Sequence, residues 1–238
     1  MTAPGKLIAI EGIDGSGKRT QLDLLERALA ARGLFTYSTG FPQYESFFGK
    51  MVGRFLNGDF GDVENLDPRL TATLYAGDRF EAKTILCSAL EQGRIVLVDR
   101  YIGSNLAHQT ARVAATERNE FINWVEHLEY NIYGLPREEL VLYLRVPPAE
   151  AQALIARKSA RSYTAAKQDI LEASLRHLEE AAELYDLLSR RPHWATVQCF
   201  DDARHTIRSP DAIAHDVLSV VERVLPGQTV QQPARHTP

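Results

Sequence analysis

The stretch Gly12-Ile13-Asp14-Gly15-Ser16-Gly17-Lys18-Arg19-Thr20 has the residue types and spacing to hold phosphate. Glycines without side chains let backbone N–H groups curl around phosphate oxygens, and Lys18 adds a full positive charge. Leu7-Ile8-Ala9-Ile10 precedes the stretch, and Leu22, Leu25, Ala28 and Leu29 follow at helical spacing. It is therefore read as the turn between a buried strand and a helix, whose N-terminus attracts anions. The alternative is a tight strand-to-helix connection that binds nothing. Strand, helix and lysine together favour a nucleotide-phosphate site. One position departs from the usual pattern: Arg19 stands where Ser or Thr normally meets magnesium, and Thr20 comes one residue late.

Other charged residues gather at places where chemistry is expected. Ile95-Val96-Leu97-Val98 reads as a buried parallel strand and runs straight into Asp99-Arg100-Tyr101. Ligands of open α/β sheets sit at the carboxyl ends of strands, so this pair points to the same edge as the glycine-rich turn. A structural Asp–Arg ion pair is the alternative. Asp67-Pro68 opens a long helix running to about Gln92, within which Tyr75 and Arg79 lie one turn apart on one side. A solvated face is the plain alternative for Asp78-Arg79. Between Ala151 and Gln168 the chain carries Arg157, Lys158, Arg161 and Lys167 and no acidic residue, a cationic segment suited to close over phosphates. A solvated basic loop would look the same.

The elements that must position these groups alternate along the chain. Leu34–Ser38 is the second predicted strand, followed by two short helical stretches split at Asn57-Gly58-Asp59-Phe60-Gly61. Leu140–Val146 and Trp194–Phe200 are further strands. Helices open at Pro147-Pro148, Asp169 and Ser209-Pro210. Alternation predicts a three-layer α/β fold of phosphate-loop type, with a five-stranded, mostly parallel sheet, helices on both faces and a short basic lid near 157–168. Residues 1–225 are expected to form one domain, and 226–238 a disordered tail. The net charge of −4 across 238 residues gives no sign of a nucleic-acid or anionic-membrane partner, and no apolar run reaches spanning length. Cys87 and Cys199 read as thiols of a reducing cytoplasm.

Taken together, Glu11 to Lys18, Phe41-Pro42-Gln43-Tyr44, Tyr75-Ala76-Gly77-Asp78-Arg79 and Asp99-Arg100-Tyr101 resemble the successive signatures of thymidylate kinases. Asp169-Ile170-Leu171-Glu172 with the later Tyr185 resembles that family's segment after the lid, and the likeness runs over roughly residues 6–224. The resemblance implies transfer of the γ-phosphoryl of ATP, with Mg2+, to dTMP in a homodimeric enzyme. It implies that Gly12 to Thr20 hold the ATP phosphates. Lys18, Arg100, Arg157 and Arg161 would stabilise the transferring group. Asp14 would approach the acceptor sugar and the metal, with Glu172 near the same metal or sugar. Asp99 would orient Arg100 or a metal-bound water.

In the acceptor pocket, the resemblance implies that Tyr75 stacks on thymine and Arg79 donates to its O4. Phe41 and Pro42 would line the wall, Tyr44 would reach the acceptor phosphate and Asn105 would hold the base's other polar edge. His108 stands where relatives often carry Tyr or Phe against the sugar, which leaves sugar discrimination open; a surface histidine of a helix is the alternative. A kinase for another nucleoside monophosphate or deoxynucleoside is the competing reading, and a non-catalytic nucleotide-binding protein ranks below it. The Asn-Lys-x-Asp signature of a GTPase does not occur.

Overall fold

Parallel strands need a helix to return the chain, and that requirement sets the layers of this protein. The computed structural model describes residues 4–61, 65–159 and 175–225. Its elements are β1 (Lys6–Glu11), α1 (Lys18–Ala30), β2 (Thr36–Gly40), α2 (Phe47–Leu56), α3 (Pro68–Glu91), β3 (Ile95–Asp99), α4 (Ile102–Thr110) and α5 (Arg118–Glu126). A π-helical turn, His127–Ile132, continues α5; then come β4 (Leu140–Arg145), α6 (Pro148–Ser159), α7 (Leu175–Leu188) and β5 (Trp194–Gln198). A short hairpin, β6 (Phe200–Asp201) and β7 (Thr206–Ile207), leads into α8 (Pro210–Glu222).

The five strands stand in the order β2-β3-β1-β4-β5, and every neighbouring pair is parallel. β1 is central, so Leu7, Ile8, Ala9 and Ile10 are fully buried between helices on both faces. In register, Ile10 lies beside Asp99, and Glu11 beside Tyr143. The strand order reverses around β1. The carboxyl ends of β1 and β3 therefore open onto one crevice.

Several boundaries differ from the sequence expectation. β2 begins at Thr36 rather than Leu34, because Leu34 belongs to the end of α1: its N–H bonds to Leu29 O at 3.1 Å while Gly33 turns at φ 75°. The last strand stops at Gln198, and Phe200 turns off to pair antiparallel with Ile207. The first of the two expected short helices is α2, whereas the second falls partly in 62–64, outside the described residues. α4, α5 and the π turn carry no sequence assignment above. The lid beyond Ser159, the start of the helix at Asp169 and the tail from 226 also lie outside the described residues. No helix among the described residues is long and apolar enough to cross a membrane.

The loop before β4 holds a buried acid. Burial raises the Glu138 carboxyl to about 7, against the lowering effect of the hydrogen bond from Tyr130. Tyr130 Oη donates to Glu138 Oε2 at 2.7 Å. Between the ordinary 4.5 and about 7, the folded chain keeps a proton that the unfolded chain gives up. Stability from this group is therefore present at low pH and lost as pH rises through 7, by roughly 3 kcal/mol over the window. Urea unfolding at pH 5 and pH 8 should show Glu138→Gln losing much less stability over that range than the unmutated chain. Parallel pH profiles would contradict a buried, proton-holding Glu138.

Candidate active site

The glycine-rich turn leaves β1 and enters α1 as expected. Gly15 has φ 82°, and a Cβ there would collide with the Ala151 carbonyl of α6, so only glycine fits. Gly17 caps α1 in a left-handed conformation, with no side chain bonding the free N–H groups and no acidic residue in the first turn. Those donors face the crevice, where an anion is favoured. Lys18 is buried, and its Nζ donates to the carbonyls of Gly12 at 2.9 Å and Ile13 at 3.0 Å. Ser16 Oγ is buried and has no hydrogen-bond partner among the described residues. Arg19 and Thr20 are exposed, and Arg19 turns along the helix to Asp23 at 3.0 Å.

At the end of β3, Asp99 and Arg100 part company. Arg100 pairs with Asp14 of the phosphate loop. No hydrogen bond or ion pair joins Asp99 to Arg100 among the described residues, so Asp99 does not orient Arg100 here. For Asp99, burial raises the pKa and the nearby Lys18 charge lowers it, and its Oδ1 is buried with no hydrogen-bond partner among the described residues. Arg100 takes φ 64°, a left-handed conformation rare for a side-chain-bearing residue. The left-handed turn separates the two adjacent charges, and only Arg100 is drawn to Asp14.

Behind this turn lies an interaction that sequence reasoning missed. Glu11 is fully buried, and its Oε1 accepts from Tyr101 N at 2.7 Å and Ser104 N at 3.0 Å. Its Oε2 accepts from Ser104 Oγ at 2.6 Å and Tyr185 Oη at 2.9 Å. The carboxylate thus caps α4, whose own N-cap residue, Tyr101, makes no side-chain cap. The available signal was a lone acid directly after a buried apolar strand.

α3 and α4 face each other across a cleft of about 620 Å³, part of it open to solvent. Phe41, Pro42, Tyr44, Tyr75, Arg79, Arg100, Asn105 and His108 all line it, together with Asp14 at the phosphate-loop side. Leu56, Ser104 and Gln109 complete the wall without having been anticipated. The Phe41–Pro42 peptide is cis. Arg157 lies within α6, while Arg161 and Glu172 fall outside the described residues.

Asp78 and Arg79 form no solvated face: both are buried. Asp78 accepts from Gln43 N and Ser46 Oγ, each at 2.8 Å, and so fastens the Phe41–Tyr44 loop to α3. Arg79 makes two bonds of 2.6 Å, from Nε and Nη2, to Glu129 of the π turn. Burial alone would lower the Arg79 pKa, but the Glu129 charge and hydrogen bonds outweigh it, so the pKa is raised. Glu129 also accepts from Asn105 Nδ2 at 2.7 Å, and the same Nδ2 donates to Ala72 O at 3.0 Å. Two oxygen partners fix that atom as the amide nitrogen. Asn105 Oδ1 is consequently an acceptor, buried and without a partner among the described residues, in a residue that lines the cleft. Glu129 was not foreseen, because nothing in His127–Ile132 distinguishes it from a surface acid. His108 is no surface residue either, being only 8% exposed.

With this geometry in place, a family model described as thymidylate kinase matches residues 10–198. The chain belongs to the thymidylate kinase family. Among its relatives in that family, a thymidylate kinase of Mycobacterium tuberculosis is 34% identical over 141 residues. That match covers 59% of this chain and 65% of the mycobacterial protein, just under two thirds of its length. A probable thymidylate kinase of Pyrobaculum aerophilum is 30% identical over 219 residues, 92% of this chain and 97% of that one. A solved thymidylate kinase structure from Candida albicans shares the fold, with a TM-score of 0.71 at 21% identity, covering 94% and 93% of the two chains.

The Arg79–Glu129 pair gives the cleft a measurable weak point. Removing one partner of a buried ion pair leaves the other charge unpaired, at a cost of about 3–5 kcal/mol. Glu129→Ala should lose that much stability in urea unfolding at pH 7. A loss below about 1 kcal/mol would mean that solvent reaches Arg79 easily.

Proposed function

We propose that this chain is a dTMP kinase, transferring the γ-phosphoryl of ATP to the 5′-phosphate of dTMP and giving dTDP and ADP. The observation that carries the reading is the donor–acceptor pattern in the cleft, supported by family membership. Arg79 can only donate, and Nη1 is the guanidinium nitrogen that Glu129 does not engage. Asn105 Oδ1 can only accept. Thymine offers O4 as acceptor and N3–H as donor on adjacent positions, which complements this pair. Cytosine reverses both. Tyr75 and Phe41 supply faces for the ring.

The phosphate chemistry needs cations more than it needs a base, because a phosphate monoester is already largely dianionic at neutral pH. The loop N–H groups and Lys18 hold the donor phosphates. Arg100, steadied by Asp14, reaches from the acceptor phosphate to the transferring group. Arg157 and Arg161 close over that group from the lid, and Tyr44 reaches the acceptor phosphate. His108 lies against the sugar, with Glu172 near the sugar or metal. Bound Mg2+ would neutralise charge between phosphates. Asp99, whose buried Oδ1 has no hydrogen-bond partner among the described residues, would hold it directly or through water, in place of the Ser or Thr that is absent at Arg19. Asp14 would contribute to the same sphere.

A homodimer in the cytoplasm completes the proposal. Phe47 of α2, Phe80 and Ile85 of α3 and Ile132 of the π turn are large apolar side chains left exposed, surface that a second copy would cover. Both cysteines are free thiols, as expected in a reducing compartment. The double substitution Phe80→Glu with Ile85→Glu should convert the dimer to monomer by light scattering. A dimer of unchanged mass would move the interface elsewhere.

An ADP-release assay over nucleoside monophosphates tests the activity. The expected order in kcat/KM is dTMP, then dUMP about fourfold or more below for the loss of a buried methyl, then dCMP on the order of 10⁴-fold below. Asn105→Ala should narrow the thymine-to-cytosine gap. Comparable use of dCMP and dTMP would point to the competing reading, a kinase for another nucleotide. Replacing Arg157 and Arg161 with Ala should lower kcat by on the order of 10²-fold or more, with a smaller change in the KM for dTMP.

A further inference from the structure

α7 packs against α4 and brings a second histidine to the back of the cleft. The His108 and His177 rings are stacked, with centroids 5.4 Å apart and planes inclined by 27°. His108 Nδ1 lies 3.2 Å from His177 Nε2. On the other side of the ring, His108 Nε2 lies 3.5 Å from Arg100 Nη1, a long hydrogen bond. Tyr185, the residue that donates to Glu11, meets the His108 ring edge-on at 5.9 Å.

These contacts determine where the proton sits. A guanidinium has donors and no acceptor, so His108 Nε2 can bond to Arg100 only as an acceptor. The ring proton must then be on Nδ1, whose partner among the described residues is His177 Nε2, acting as acceptor in turn. The opposite tautomer would aim an N–H at the guanidinium. A charged imidazolium would add repulsion beside Arg100. Burial lowers the His108 pKa well below its ordinary value, and His177, Arg100 and Lys18 act in the same direction. His177 is also lowered, by burial and then by Arg112, with Glu180 opposing. Both rings are neutral at pH 7. The order of donors is therefore Arg100 to His108 to His177.

We propose that His177 fixes the Nδ1–H tautomer of His108, making His108 a positioning residue for Arg100. Asp14 holds one side of the guanidinium by charge, while His108 receives Nη1 without competing charge. Asp14 sets the position of Arg100, and His108 sets its rotation. The consequence for turnover rests on the phosphoryl-transfer role given to Arg100; the tautomer and the guanidinium geometry do not.

Long-range ¹H–¹⁵N correlation on histidine- and arginine-labelled protein at pH 7, without nucleotide, tests the arrangement. His108 should show a protonated Nδ1 and an unprotonated Nε2, the minority tautomer for a histidine in water. His177→Phe keeps a stacked ring and removes the acceptor, so His108 should shift toward Nε2–H and the Arg100 side-chain resonances should move. His177→Gln, whose amide oxygen still accepts, should restore both signals. For dTMP, kcat/KM should fall roughly fivefold to tenfold in the Phe variant, the effect of one lost hydrogen bond, and recover in the Gln variant. An Nε2–H or doubly protonated His108 in the unmutated protein would overturn the proposal, as would Arg100 signals indifferent to His177→Phe. If the signals behave as expected but the unmutated protein releases no ADP with dTMP, the kinase reading fails and the positioning relation stands.

Discussion

A single buried carboxylate, that of Glu11, holds the site in register. A charge with no solvent access is tolerated only when donors surround it, and Glu11 has them from the Tyr101 and Ser104 backbone, the Ser104 hydroxyl and Tyr185. Those partners belong to the start of α4 and to α7, while Glu11 itself ends the central strand. One side chain therefore fixes three elements to each other. α4 carries Asn105 and His108 into the cleft, and the turn before it carries Arg100. Gly103 is part of the same packing, since a Cβ there would lie 3.0 Å from the Glu11 carboxylate. The phosphate loop begins at the very next residue after Glu11, so the donor and acceptor sides share this anchor.

Another buried acid, Glu129, does on the proposed base-binding side what Glu11 does on the proposed phosphate side. It takes two of the Arg79 donors and the Asn105 amide nitrogen. What remains is Nη1, which Glu129 does not engage, as a donor group, and Asn105 Oδ1 as an acceptor. Specificity of this kind comes from leaving buried groups unpaired when the wrong base enters, which costs more than a missing apolar contact. Two carboxylates that touch no substrate in this account decide what the substrate-facing residues can do.

Much of this was legible in the sequence, for physical reasons. The loop shows itself because phosphate binding needs glycines and lysine at fixed local spacing, and Tyr75 with Arg79 because one helical turn puts them on one side. Alternation of apolar runs gave the layers and the central sheet. Illegible were the relations between distant segments: Glu129 lies 50 residues from Arg79, and Tyr185 lies 174 from Glu11. Adjacency could not decide whether Asp99 and Arg100 pair; a left-handed turn gives Arg100 to Asp14. The partners of Asp78 and His177 were hidden for the same reason. Local spacing reports which groups can do chemistry; burial and long-range pairing decide which of their atoms are left to do it.

The central claim is that the cleft presents Arg79 as donor and Asn105 as acceptor to the imide edge of thymine, with the acceptor phosphate at Arg100. A crystal structure of the protein with dTMP tests it most directly. The account predicts thymine O4 within hydrogen-bond distance of Arg79, N3–H on Asn105 Oδ1, the ring against Tyr75 and the 5′-phosphate on Arg100. Thymine bound with its imide edge turned to solvent, or dTMP seated with its phosphate in the Gly12–Lys18 loop, would contradict it.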